Sequence, residues 1–170
     1  MVFHFIVLDL PLYNQDLEGE VPKSVVQFKA EIAAADALLF VTPEHNRSIP
    51  ALLKNAIDWG ARPYGQNAWS GRPAAITGAS PGAIGAALAQ MHLRQVLGIL
   101  GVLVMGGEAY ISFKPGLVDA NGTISDENTR TRSCKLSSNR SRRSWPNCSS
   151  LERRPPRSAT GKITAPKNSL

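Results

Sequence analysis

Apolar and polar positions divide the chain into alternating strand and helix signals. Phe3 to Leu8 predicts a first strand, and Asp9 to Asp16 leaves it as a loop. Pro22 opens a helix through about Ala35, with Val25, Val26, Phe28, Ile32 and Ala33 on its buried face. Ala37 to Val41 is a short continuous apolar run, the pattern of a parallel strand covered on both faces. After the polar, Pro-bounded stretch Thr42 to Pro50, the residues Leu52, Leu53, Ala56, Ile57 and Trp59 recur near helical spacing, so this helix packs back on the sheet. Pro73 to Gly78 is a further strand, Ala79 to Gly85 a loop of small residues, and a helix follows through about Leu100. Val102 to Met105 and Ala109 to Phe113 read as short strand pieces. Asp119 to Thr123 is a turn, and Ser125, with Asp126 and Glu127 behind it, starts a final helix whose apolar stripe never develops.

Strands that alternate with helices predict an α/β fold with a parallel sheet. Open α/β sheets hold their ligands at the carboxyl ends of the strands, which makes candidates of the loops Thr42 to Pro50 and Ala79 to Gly85. In the second loop, small residues allow close backbone approach, and the helix start behind it offers N–H groups with positive partial charge. Each loop also has a plain structural reading: a strand-to-helix connection with Pro50 in the first helical turn, and a tight turn with Ser80 as a cap. Between the loops, Arg62 to Trp69 is a surface connection whose Tyr64 and Trp69 either rim a site or subunit contact or anchor the loop by hydrophobic packing.

Pro43-Glu44-His45-Asn46-Arg47-Ser48-Ile49-Pro50, followed by Leu53-Lys54-Asn55-Ala56-Ile57-Asp58-Trp59, resembles the signature of the NAD(P)H-dependent FMN reductases, a flavodoxin-like group that includes chromate and quinone reductases. The family pattern is close to PEYNxSxPGxLKNAIDW; the chain departs from it at His45, where the family has Tyr, and at Ala51, where it has Gly. The segment Leu10-Pro11-Leu12-Tyr13-Asn14-Gln15-Asp16 is similar to the same family, and the likeness covers roughly residues 5 to 130. It implies a flavodoxin-like, doubly wound parallel sheet with strand order 2-1-3-4-5. It also implies bound FMN, NAD(P)H as co-substrate, and a small-molecule electron acceptor such as a quinone, chromate or free flavin. The family's Pro-Glu-Tyr-Asn backbone lies against the flavin ring and its Gly/Ser-rich loop borders the flavin. The resemblance therefore assigns cofactor binding to Pro43, Glu44, His45, Asn46, Ser80 and Gly82, with Glu44 as an orienting residue. A catalytic acid or base is not demanded, because the redox chemistry is the cofactor's. The family's usual state is a homo-oligomer. His92, inside the helix after the second loop, is assigned no role.

Against this pattern, both ends of the chain differ from expectation. The sequence begins at what corresponds to the second strand, without the preceding strand and phosphate-binding loop, so weak FMN binding and a poorly stable monomer or aggregate, in place of the family's usual oligomer, are expected. At the other end the composition changes abruptly after Arg130, as a shifted reading frame would produce. Two regions are expected: an incomplete flavodoxin-like domain over 1–130, lacking its first strand and last helix, and a disordered basic tail over 131–170.

Charge sharpens that division. The formal net charge is +6, yet residues 1–130 hold nine Lys/Arg against twelve Asp/Glu, while 131–170 hold ten against one. The basic character belongs to the tail, so a non-catalytic remnant or a binding protein with a polyanion-binding tail is the rival reading. Only Trp145 among the aromatics interleaves with that charge, and the sequence shows no nucleic-acid-binding fold. The Thr77-to-Gly85 turn with Tyr110-Ile111-Ser112-Phe113-Lys114 imitates the short-chain dehydrogenase elements, but at the wrong separation. Cys134 and Cys148 match no metal spacing, and no apolar stretch approaches the roughly 20 residues of a membrane span. A cytoplasmic location is the expectation.

Overall fold

The structure, a computed structural model, describes residues 2–130. Its elements follow the alternation expected from the sequence: α1 (Lys23–Ala34), β1 (Leu38–Thr42), α2 (Ala51–Ala61), β2 (Pro73–Ser80), α3 (Ala87–Ile99), β3 (Leu103–Val104) and β4 (Tyr110–Ser112), with a 3-10 helix at Gln15–Glu20 ahead of α1. The expected basic tail, 131–170, lies outside the described residues.

All strand pairs are parallel. β1 pairs with β2 from Leu38↔Ala74 to Thr42↔Gly78. On the other side of β2, β3 pairs at Pro73 and Ala74, and β4 at Gly78 to Ser80. β3 and β4 thus form one interrupted edge. The Arg94 guanidinium steadies the break, donating to the carbonyl oxygens of Met105 (2.9 Å) and Gly107 (2.6 Å).

Period-two alternation decides which side of the sheet is covered. Phe40, Ala74 and Ile76 share one face and enter a single core with Phe28 and Ile32 of α1, Ala56 and Ile57 of α2, and Leu93 and Leu97 of α3. On the opposite face Leu39, Val41 and Leu103 are 50, 68 and 63% exposed. The expectation that the Ala37–Val41 run is covered on both faces is therefore corrected: among the described residues the three helices pack on one side only. Val26 and Ala33, also expected in the core, lie on the solvent side of α1.

Phe3 to Leu8 is not a strand. A strand requires a neighbour to satisfy its backbone groups, and this segment pairs with none of β1 to β4. It is held by side chains instead, Ile6, Leu8 and Leu10 packing on the core while Val2, Phe5 and Val7 are exposed. The following residues are fixed to α2. Asn55 accepts from the Tyr13 amide (2.7 Å) and donates to the Pro11 carbonyl (2.9 Å), which also accepts from Trp59 Nε1 (2.8 Å). Tyr13 stands edge-on to Trp59 at 5.1 Å. Two residues of the LKNAIDW signature thus hold Pro11–Tyr13 in place.

Trp69 proves to be an anchor. It is buried against Phe28 and Phe40 and donates from Nε1 to the Ile57 carbonyl (2.9 Å), whereas Tyr64 is exposed. α3 ends as a Schellman motif: Gly101, at φ 77°, lets Val102 N–H reach the Leu97 carbonyl (3.1 Å). The start of the final helix is a single turn over 127–130, capped by Asp126, whose Oδ2 accepts from Thr129 N–H at 2.6 Å. Ser125 takes no part in that cap and donates to the Gly116 carbonyl (2.9 Å).

Candidate functional site

Both candidate loops leave the carboxyl ends of neighbouring strands. Thr42, which ends β1, lies opposite Gly78 of β2. A Cβ at Gly78 would stand 2.2 Å from the Thr42 carbonyl oxygen, so glycine allows the strands to run side by side to the mouth of the site. β2 continues through Ser80, which places Ala79 and Ser80 on the strand end and leaves the loop proper to Pro81–Ala86.

The first loop is a tight hairpin. His45 and Ser48 exchange backbone hydrogen bonds of 3.0 and 2.8 Å, and the two residues between them, Asn46 and Arg47, are left-handed at φ 48° and 64°. The third left-handed non-glycine among the described residues, Ala86 (φ 63°), ends the second loop. Such backbone costs an L-residue roughly 1–2 kcal/mol and persists where surroundings over-determine it.

Glu44 and Ser48 supply those surroundings. The Glu44 side chain is only 6% exposed. Its Oε2 accepts from the amides of Leu88 (3.0 Å) and Ala89 (3.2 Å) in the first turn of α3, and its Oε1 accepts from Arg47 Nη1 (3.2 Å). Ser48 Oγ lies 3.1 Å from His92 Nδ1, one turn further along the same helix. α3 has no side-chain cap of its own at Ala86, and Glu44 supplies the carboxylate that the helix dipole favours there. The expectation of free N–H groups at this helix start is therefore corrected, since Leu88 and Ala89 already have an acceptor. In the second loop Ser80 Oγ accepts from Gly82 N–H (3.2 Å), a local turn contact; the reading of Ser80 as a cap is corrected, because α3 begins at Ala87 with Ala86 in the N-cap position.

The six residues singled out in the sequence are thus brought to one end of the sheet. Pro43, His45, Asn46 and Gly82 are exposed there and Ser80 is half-buried, whereas the Glu44 side chain is turned into the protein. Sequence reasoning missed His92 and the reach of Glu44 to α3. The available signal was the absence of Ser, Thr, Asp or Asn before Ala87, which requires a cap from elsewhere in the chain.

Residues 2–116 match the model of the NADPH-dependent FMN reductases. The chain belongs to this family. It is 52% identical over 122 residues to a 2-hydroxy-1,4-benzoquinone reductase from Burkholderia sp, covering 71% of this chain and 67% of that protein. A quinone reductase from Pseudomonas putida is 53% identical over 121 residues, covering 70% of this chain and 65% of that one. The chain thus spans about two thirds of the length of these curated relatives. Among solved structures it is similar to FerB, a flavoenzyme NAD(P)H:(acceptor) oxidoreductase from Paracoccus denitrificans, with a TM-score of 0.75 and 46% identity over 81% of this chain and 77% of that one. The likeness supports the flavodoxin-like α/β fold read from the sequence.

The geometry also bears on whether an FMN reductase site fits these residues. On the ring side it does: the backbone of Pro43, His45 and Asn46 and the edge at Gly82 are open, not packed into the core. A phosphate would find the two α3 amides nearest the first loop taken by Glu44. Among the described residues no group of His, Cys, Asp and Glu could hold a metal ion, and no helix is long and apolar enough to cross a membrane.

Proposed function

We propose that this protein is an NAD(P)H-dependent FMN reductase that passes electrons to a small acceptor, a quinone in the first place and chromate as another member of the same acceptor class. Pro43, Glu44, His45, Asn46, Ser80 and Gly82 form the FMN site. The observation that carries the reading is the pair of exposed, rigidly held loops at the carboxyl ends of β1 and β2, in a chain of this family.

FMN held by these loops would supply the redox chemistry, hydride acceptance from NAD(P)H and electron return to the acceptor. The chain's own residues bind and orient. The His45–Ser48 hairpin presents Pro43 to Asn46 as a stiff edge, and Ser80 at the end of the adjacent strand with Gly82 in the loop after it offers a second edge. Preorganised backbone of this kind costs little further ordering when a flat ring settles on it. His45, in place of the family's Tyr, makes the rim more polar without altering the turn. The same reading includes a cytoplasmic location and a homo-oligomer of the family's kind, the alternative to the unstable monomer or aggregate expected from the sequence. Steady-state NAD(P)H oxidation by the FMN-reconstituted chain, with a benzoquinone as acceptor, tests it. Turnover that requires both substrates and FMN is expected; a chain that takes up FMN but transfers no electrons to any quinone would overturn the assignment.

A further inference from the structure

The two loops of the site belong to different strand-to-helix connections, and the β1–β2 pairing that sets the spacing of their starts ends at Thr42 and Gly78. Beyond that point side chains bridge them. Glu44 sits in the first loop, and both amides that its Oε2 accepts from, Leu88 and Ala89, belong to the helix into which the second loop runs. We propose that Glu44 is a positioning residue whose carboxylate, bound to the first turn of α3, fixes the Pro43–Ser48 turn relative to the Pro81–Ala86 loop, with Ser48 and His92 as a second pin. The consequence for flavin rests on the function proposed above; the bridge itself does not.

The arrangement suits this work better than direct contact with a ligand. A carboxylate almost wholly removed from water needs its lone pairs filled, and the two amides and Arg47 do so. The outward half of the contribution is minor, because the Arg47 side chain is 67% exposed and an ion pair there is screened. The inward half is charge-assisted and faces a helix start without a cap of its own, where a carboxylate is favoured. The three left-handed non-glycine residues among the described residues, Asn46, Arg47 and Ala86, lie on the two segments that Glu44 joins. Without the bridge, each segment could relax its backbone independently. Ser48 meets His92, four residues after Leu88, so a second contact about one helical turn further along α3 restrains the hairpin as well.

Two readouts on the full chain test the inference: amide hydrogen exchange at Leu88 and Ala89, and the dissociation constant of FMN from flavin fluorescence. Glu44→Ala should speed exchange at both amides by about tenfold or more, the loss of charge-assisted hydrogen bonds, and should weaken FMN by a comparable factor. Glu44→Gln, which keeps one acceptor oxygen and the side chain's volume, should fall between Glu44→Ala and the wild type and serves if Glu44→Ala does not fold. Ser48→Ala should weaken FMN less than Glu44→Ala and leave the Leu88 and Ala89 amides protected. Weakened FMN with unchanged protection of those amides in the Glu44 variants would mean that the carboxylate acts on the ligand, and would overturn the proposal. Should the wild-type chain take up no flavin, the proposed function fails, and the exchange experiment alone still decides whether the bridge exists.

Discussion

The two faces of the sheet are built from the same strands and nearly the same residue types, yet they differ in what they do. Phe40 and Ile76, 8 and 1% exposed, lie beneath three helices, while Leu39 and Val41, on the same β1, are half or more exposed. Strand sequence does not distinguish them: Leu-Leu-Phe-Val is apolar at every position, as in a strand covered twice over. The difference lies in the covering elements, and with it goes the site. The first candidate loop is held from the covered side, Glu44 and Ser48 reaching α3, and from the same side Asn55 and Trp59 of α2 secure Pro11–Tyr13. The helical layer is therefore both the cover of the core among the described residues and the support of the first candidate loop.

The largest effect should come from testing that asymmetry directly. Ile76→Ala opens a cavity under the helices and should cost about 2–5 kcal/mol in urea unfolding, whereas Val41→Ala on the other face should change stability by less than about 0.5 kcal/mol. Equal losses would show that the second face is covered in solution. Asn55→Ala removes both bonds to Pro11 and Tyr13 and should cost about 1–2 kcal/mol. Proteolysis in the first thirteen residues should quicken in the same variant, and an unchanged cleavage rate would deny Asn55 its holding role.

A smaller effect is expected from pH. Tyr13 donates to Glu18 at 2.5 Å and Arg62 Nε donates to it at 2.7 Å. The Tyr13 hydroxyl first, and the Arg62 guanidinium after it, hold the Glu18 carboxyl below the usual carboxylate range, while the hydrogen bond to Glu18 pushes the Tyr13 phenol up. Folded Glu18 binds its proton less tightly than unfolded Glu18, so its contribution is full above the ordinary carboxylate range and is lost as pH falls through the folded value. For Tyr13 the sign reverses: the contribution is present below the ordinary tyrosine value and is lost as pH rises through the raised one. Glu18→Gln should flatten the acid limb of the stability profile, and an unaltered limb would place the acid sensitivity elsewhere. The smallest effect concerns ligand choice. With the α3 amides nearest the first loop bound to Glu44, riboflavin and FMN should differ in affinity by less than about tenfold, or 1.4 kcal/mol. A much larger preference for FMN in parallel titrations would reveal a phosphate site.

Much of this was legible in the sequence because it is local. The apolar runs at Ala37–Val41 and Pro73–Gly78 and the prolines at 22 and 50 place the elements within a few residues of where they stand. The loop Pro43–Asn46 could be named from its motif. What could not be read depends on partners far along the chain. Phe3–Leu8 has strand composition but no paired neighbour among the described residues. Glu44 and Leu88 are 44 residues apart, so a carboxylate that caps a helix looks, in sequence, like any acidic loop residue. The left-handed turn at Asn46 and Arg47 follows from the His45–Ser48 bonds, and nothing in an Asn-Arg pair demands it.

The most direct test of the account is a single anaerobic spectrum of the FMN-reconstituted chain, followed in the blue flavin band as NADPH and then a benzoquinone are added. The band should bleach with NADPH and return in full with the quinone. A band that stays unchanged on addition of NADPH, in a chain that has retained its flavin through gel filtration, would contradict the reading of these loops as a reductase site.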